Sequence, residues 1–160
     1  MSGRIGHGID AHRLVPGGPL RLGGIDIPHD RGLEGHSDGD VVAHALAHAI
    51  LAGAGAGDLG QHFPSADPRW QGADSLDFVR EAVRRATEAG LRLESASVVV
   101  IAEAPRLSAH LGAMAIALGG AAQTSPASIA VTVTSTDGMG FTGQGEGIAA
   151  SAVVVLGSVS

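Results

Sequence analysis

Cysteine is absent from the chain, which excludes a disulfide framework and any thiolate-bound metal. A metal centre here has only histidine and carboxylate to draw on. Aromatic residues are scarce, at 2% of the sequence, and tyrosine is missing. The core must therefore be filled by valine, isoleucine, leucine and alanine, and 25 glycines point to close backbone approach. A thin core of small residues gains burial from other subunits, which favours an oligomer. Basic runs are also lacking, and a formal charge of −6 turns the reading away from nucleic acid as a partner. No stretch approaches the ~20 apolar residues of a membrane span. The first ten residues have neither the basic nor the apolar segment of a secretory signal. The expectation is a cytoplasmic protein with no membrane partner, folded as one domain over residues 1–160.

What is present is concentrated in His36-Ser37-Asp38-Gly39-Asp40-Val41-Val42-Ala43-His44, where two imidazoles, two carboxylates and a glycine precede an apolar run. Val41 to Ala52 is apolar on nearly every face, so a helix here is a buried one, capped by Ser37 or Asp38. His44 and His48 stand at i and i+4 and project from one face into a dry environment, where each ring nitrogen needs a partner. Backbone carbonyls would serve. A metal would serve too, and Asp10 and His12 upstream, at i and i+2 on one face of a strand, supply with His44 a carboxylate and two imidazoles. That is the donor set of a zinc site with an open fourth position.

Around this stretch the chain alternates between strand and helix patterns. Arg4 to Asp10 reads as a strand, Arg13 to Pro19 as a loop, and Leu20 to Ile27 as a strand broken at Gly23-Gly24 that returns near the first. Pro28 to Gly35 reads as irregular. Residues 61–73, with two prolines and no period, read as a long loop. Asp74-Ser75 caps an amphipathic helix over Leu76 to Ala89, stopped by Gly90. Ala96 to Ala102 reads as a strand buried on both faces, Leu107 to Leu118 as a helix, Ile129 to Thr136 as a half-buried strand, Asp137 to Gly147 as turns, and Ile148 to Leu156 as a final strand. The order β-β-α-α-β-α-β gives an α/β two-layer sandwich, a mixed β-sheet with helices on one face.

The blocks GIDAHRL, GGIDIPHDRGLEGHSDGDVVAHAL, GDLGQHFP, the strand ending in IAEAP, and DGMGFTGQGEGIAA resemble the 2-C-methyl-D-erythritol 2,4-cyclodiphosphate synthases over essentially the whole chain. The resemblance implies a homotrimer with active sites between subunits and a small-molecule nucleotide-diphosphate substrate. The implied reaction joins a 2-phosphate to the β-phosphate of 4-diphosphocytidyl-2-C-methyl-D-erythritol 2-phosphate with loss of CMP. Asp10, His12 and His44 would hold one Zn2+ per subunit, and Asp137 an Mg2+ or Mn2+ that accompanies the diphosphate. His36 and Ser135 would be catalytic, with Ser37 beside His36 on phosphate. Asp58, Leu59 and Gly60 would meet the methylerythritol hydroxyls, and Phe63, Pro64, Ser65, Ala66 and Asp67 would close over them. Ala102, Glu103, Ala104, Pro105, Arg106, Leu107 and Ser108 match the cytosine pocket, Thr134 and Thr136 the diphosphate contacts, and Phe141 and Gln144 a cavity on the trimer axis.

Some positions depart from the family's usual residues. Ser135 stands for threonine, Asp137 for glutamate, Arg106 for lysine, His48 for an acidic residue and Gln144 for arginine. The last removes three converging charges from the axial cavity, so poor binding of isoprenoid diphosphates is expected there. Two other functions use the same residues. A zinc phosphohydrolase would activate water at Asp10, His12 and His44, and a trimeric binding module would close the metal with His48 as fourth ligand.

Overall fold

The computed structural model describes residues 2–159. A five-stranded mixed sheet is built from β1 (Arg4–Pro16), β4 (Arg31–Leu33), β5 (Leu91–Ile101), β6 (Ile129–Thr134) and β7 (Gly147–Ser158), in the order β4-β1-β7-β5-β6. Only β5 and β6 are parallel, joined by a crossover through α4 (Leu111–Ala121); the other neighbours are antiparallel. Helices α1 (Val41–Ala54), α3 (Leu76–Glu88) and α4 cover one face. Two short helices, α2 (Leu59–His62) and α5 (Gly140–Gly143), sit in connections.

The strand period assigns the two faces. Gly6, Gly8, Val98, Val100, Ala150, Ala152 and Val154 are buried under the helices. The alternate residues point away: Ile5 is 74% exposed, Ile9 62% and Val153 42%, so this face of the sheet carries uncovered apolar side chains in one chain. Ala96 to Ala102 is accordingly not buried on both faces here, since Val99 and Ile101 are only half-buried.

Helix α1 is buried along nearly its whole circumference and lies against β1 and β7. Its N-cap is Asp40, not Ser37 or Asp38: the Asp40 carboxylate accepts from the Val42 and Ala43 N–H groups at 3.1 and 3.0 Å. It runs past Gly53 and ends at Gly55, whose left-handed backbone (φ 68°) lets its N–H reach the Leu51 and Ala52 carbonyls.

Several connections differ from the sequence reading. β1 continues through Arg13 to Pro16, where a loop is expected, because its end pairs with β4, a three-residue strand inside a stretch with no readable period. Leu20 to Ile27 does not return to β1. It forms its own hairpin, β2 (Leu20–Leu22) and β3 (Ile25–Ile27), with Gly23 and Gly24 at positive φ as the two-residue turn. The 61–73 loop holds the end of α2 and a 3-10 turn at Pro68–Trp70. α4 starts at Leu111 and not at Leu107, β5 begins five residues early across a bulge between Leu93 and Ser95, and β6 stops at Thr134.

Candidate metal centre and active site

Asp10 and His12 lie two apart on the covered face of β1, and His44 lies one turn into α1. The helix comes close enough to join them because Gly6 and Gly8 present no side chain to it. Asp10 Oδ2 is 2.9 Å from both His12 Nε2 and His44 Nδ1, and those two nitrogens are 3.2 Å apart. An ion with four tetrahedral bonds of about 2.0–2.1 Å sets its ligand atoms about 3.3 Å apart, so this triangle fits one face of a zinc site. Burial pushes the Asp10 carboxyl up, but hydrogen bonds and charge from both histidines outweigh it and hold the group well below the carboxylate range. Burial works against a charged His12, and Asp10 overcomes it, so His12 titrates above an ordinary histidine.

The triad opens into a cavity of about 250 Å³ lined also by His36, Ser37, Leu59, Gly60, Phe63, Ser65, Trp70 and Phe78. His36 Nε2 donates to the Asp67 carbonyl at 3.0 Å, which ties it to the segment above the cavity. Asp58 caps α2 through the Gln61 N–H, and Asp67 pairs with Arg69, whose hydrogen bonds lower its carboxyl. Pro64 and Ala66 are exposed on the same segment.

The other expected residues line a second cleft, of about 220 Å³, formed by Ala102, Glu103, Pro105, Arg106, Leu107, Ser108, Val133, Thr134 and Ser135. Ala104 lies in the same turn, and Ala102 N–H bonds to the Thr134 carbonyl at 3.0 Å. Asp137 follows with positive φ (54°) and accepts from Ser135 Oγ at 3.3 Å. Thr136 Oγ1 bonds to Met139 O and Thr142 Oγ1, which aims it into its own turn. The two clefts share no residue within one chain. His48 stands apart from both, with Nδ1 on the Ile9 carbonyl at 3.3 Å, and is not part of the ligand cluster.

Comparison with known proteins decides the family, since the profile of the YgbB family matches residues 3–157. The chain belongs to the YgbB family. It is 50% identical over 153 residues to the 2-C-methyl-D-erythritol 2,4-cyclodiphosphate synthase of Moorella thermoacetica, covering 96% of this chain and 94% of that protein. A solved structure of a synthase of that name, in a form with bound CDP, superposes with a TM-score of 0.88 at 40% identity, covering 96% of this chain and all of that one. The bifunctional IspDF of Campylobacter jejuni superposes with a TM-score of 0.94 at 34% identity over 98% of this chain, which spans 42% of that protein's length.

This YgbB-family chain also places at the site residues that sequence reasoning did not assign there. Phe78 stacks on His44 (centroids 5.2 Å apart) and on Phe63 (4.3 Å), with Trp70 edge-on to both phenylalanines. Three of the chain's four phenylalanine and tryptophan rings thus meet beside the triad, and their rarity was the signal available. Asp40 is fully buried, and besides capping α1 it accepts from the Gly23 and Gly24 N–H groups at 2.8 and 2.7 Å. Burial pushes its carboxyl up, against the pull of those N–H donors. Asp40 thereby locks the β2–β3 turn to the helix start that carries His44.

Proposed function

We propose that this YgbB-family chain converts 4-diphosphocytidyl-2-C-methyl-D-erythritol 2-phosphate to 2-C-methyl-D-erythritol 2,4-cyclodiphosphate and CMP, a phosphorus–oxygen lyase step of the non-mevalonate isoprenoid pathway. The observation that carries the reading is the Asp10–His12–His44 cluster facing His36 and Ser37 across one cavity, in a chain 45–50% identical to proteins named as this synthase. An oxygen of the 2-phosphate bonds to the β-phosphorus, the bond to the bridging oxygen breaks, and CMP leaves with the electron pair. No protein nucleophile enters, so the chain's work is positioning and charge stabilisation. Zinc on Asp10, His12 and His44, with magnesium or manganese on Asp137, would supply positive charge to the diphosphate. Ser37 directs its O–H at the phosphates, and His36, whose Nε2 proton is held by the Asp67 carbonyl, joins it through a protonated Nδ1, while the Phe63–Trp70–Phe78 wall excludes water from the reacting end. Asp58, Leu59 and Gly60 face the methylerythritol hydroxyls, and the turn from Ala102 to Ser108 reads the cytosine through backbone groups. Ser135 and Asp137, on one turn, act together on the diphosphate. A soluble nucleotide substrate supports a cytoplasmic reaction in this reading.

The working unit in this reading is a homotrimer. Two observations support it: the uncovered sheet face of Ile5, Ile9 and Val153, and the division of the site between two clefts that one chain does not join. Packing sheet face on sheet face around a three-fold axis buries the first and lets a neighbour's Ala102–Asp137 cleft meet the metal cavity. Phe141, 48% exposed, and Gln144 beside it then border the axial cavity.

The test is to incubate the pure protein with the diphosphocytidyl substrate, zinc and magnesium and to follow phosphorus NMR, with light scattering on the same sample. A cyclic diphosphate with CMP, from a particle about three times the 15.9 kDa of one chain, is expected. Inorganic or linear phosphate products would make it a phosphohydrolase, and no turnover would leave a binding module.

A further inference from the structure

His44 has two ring nitrogens, and the fold gives each a different neighbour. Nδ1 faces Asp10 and His12. Nε2 faces the Ser75 hydroxyl at 2.7 Å and the Ser37 hydroxyl at 3.0 Å. A neutral imidazole has one N–H and one lone pair, so ligation through Nδ1 requires the proton on Nε2 and an acceptor there. Ser75 Oγ is that acceptor, because its own proton is committed elsewhere: it donates to Asp38 Oδ1 in a short hydrogen bond. Asp38 is itself held by the Ser75 N–H at 3.0 Å, the Asp40 N–H at 3.0 Å and Arg21 Nε at 3.3 Å.

We infer that Asp38 and Ser75 form a positioning relay that fixes the tautomer and aim of His44 and so sets the metal affinity of the site. The inference rests on reading Asp10, His12 and His44 as metal ligands. Ser75 is fully buried and does not line the cavity, whereas Ser37 does, which divides the two serines by role. Ser75 serves the histidine. Ser37, 3.1 Å from Ser75 Oγ and without a carboxylate partner among the described bonds, can turn its O–H towards a phosphate. Carboxylate, hydroxyl and imidazole also occur in serine nucleophile triads, but there the histidine stands in the middle and the hydroxyl faces the substrate. Here the hydroxyl is in the middle, buried, and the histidine faces the metal. The arrangement is an outer-shell carboxylate reaching a metal-binding histidine through one serine.

The experiment measures zinc affinity by competition with a chromogenic chelator, on the unmodified protein and on Ser75→Ala, Asp38→Asn, Ser37→Ala and His44→Ala. Cobalt-loaded samples of all of these but His44→Ala are also examined for the exchangeable imidazole N–H resonances shifted by the ion. Ser75→Ala should bind zinc about ten- to hundredfold more weakly and lose the His44 N–H resonance to solvent exchange. Asp38→Asn should weaken zinc in the same direction, and it decides the question if Ser75→Ala does not fold. Ser37→Ala should keep zinc affinity and the resonance, showing its loss in kcat or KM. Zinc binding by Ser75→Ala and Asp38→Asn within twofold of the unmodified protein, with the resonance retained, overturns the relay. Absence of binding by the unmodified protein, or affinity unchanged in His44→Ala, overturns the metal reading beneath it.

Discussion

Gly8 of β1 lies flat against Ala45 of α1, so that a Cβ on the glycine would stand 2.5 Å from the Ala45 carbonyl oxygen and 2.5 Å from the Ala49 nitrogen. The atoms in the way are helix backbone, which does not yield as a flexible side chain would. Gly8→Ala should therefore push α1 outward and cost about 3 kcal/mol or more. Because His44 rides on that helix while Asp10 and His12 ride on the strand, the variant should also bind zinc more weakly. Chemical denaturation and metal competition on one preparation check both, and full stability in the variant would show that the strand–helix contact is loose.

His44→Ala removes one of three converging donors but leaves the apolar burial of α1 in place. Bound zinc and cyclisation should be lost together, while the far-ultraviolet circular dichroism of the unmodified chain persists. Normal turnover by this variant would move the metal away from the triad.

Asp137 stands in the second cleft's turn, beside Ser135, and not in the triad. Asp137→Asn should retain zinc stoichiometrically and need about tenfold or more magnesium to reach a reduced rate. Magnesium titrations of initial rate read this directly. An unchanged magnesium dependence would take Asp137 out of the reaction.

Glu81 on α3 accepts from both Arg84 and Arg85, and the Arg84 hydrogen bond, against a smaller opposing effect of burial, lowers its carboxyl below the ordinary 4.5. A lowered folded value gives stability that is present above pH 4.5 and lost as pH falls through the lower folded value. Glu81→Gln should cost less than about 1 kcal/mol at neutral pH, since the pairs are mostly solvent-exposed. The difference from the unmodified chain should shrink as pH falls below 4.5 in urea titrations and vanish once Glu81 is protonated in the folded state as well.

How far the sequence carried the reading follows from the range of the interactions involved. Helices α1 and α3 were legible because the apolar run of the one, the period of the other and the glycines that stop both are local. The second half of β1 was not, because only pairing with Gly147 of β7 at Arg13 and with β4, fifteen or more residues away, at Leu14 to Pro16 makes this stretch a strand. Gly23-Gly24 was visible as a break but not as a turn, since the break alone does not say that its flanks pair with each other. At the site, residue type and spacing pointed to Asp10, His12 and His44. Ser135 and Asp137 came only through the family resemblance, for a serine and an aspartate after a strand read equally well as turn polarity. Ser75 reads as a helix cap and does stand at the N-cap position of α3, yet its hydroxyl makes no cap bond and is turned instead to His44, 31 residues away. Ser37 and Asp38 read as the candidate caps of α1, and only the coordinates show that Asp40 caps the helix while Asp38 holds Ser75.

β1 is a strand with two obligations, and its parity is what keeps them apart. Even positions from Gly6 to His12 carry the close helix contact and two of the candidate ligands, while Ile5 and Ile9 belong to the open face. The effect of a substitution on either side can be confined to the contacts of that one residue. A single inserted or deleted residue between Gly6 and His12 cannot, because everything beyond it changes sides at once: Asp10 and His12 would turn to the open face and branched side chains would be driven into α1. Length variation among descendants of this chain should therefore gather in the Pro16–Pro19 turn and the 63–73 segment, and leave these seven positions uninterrupted.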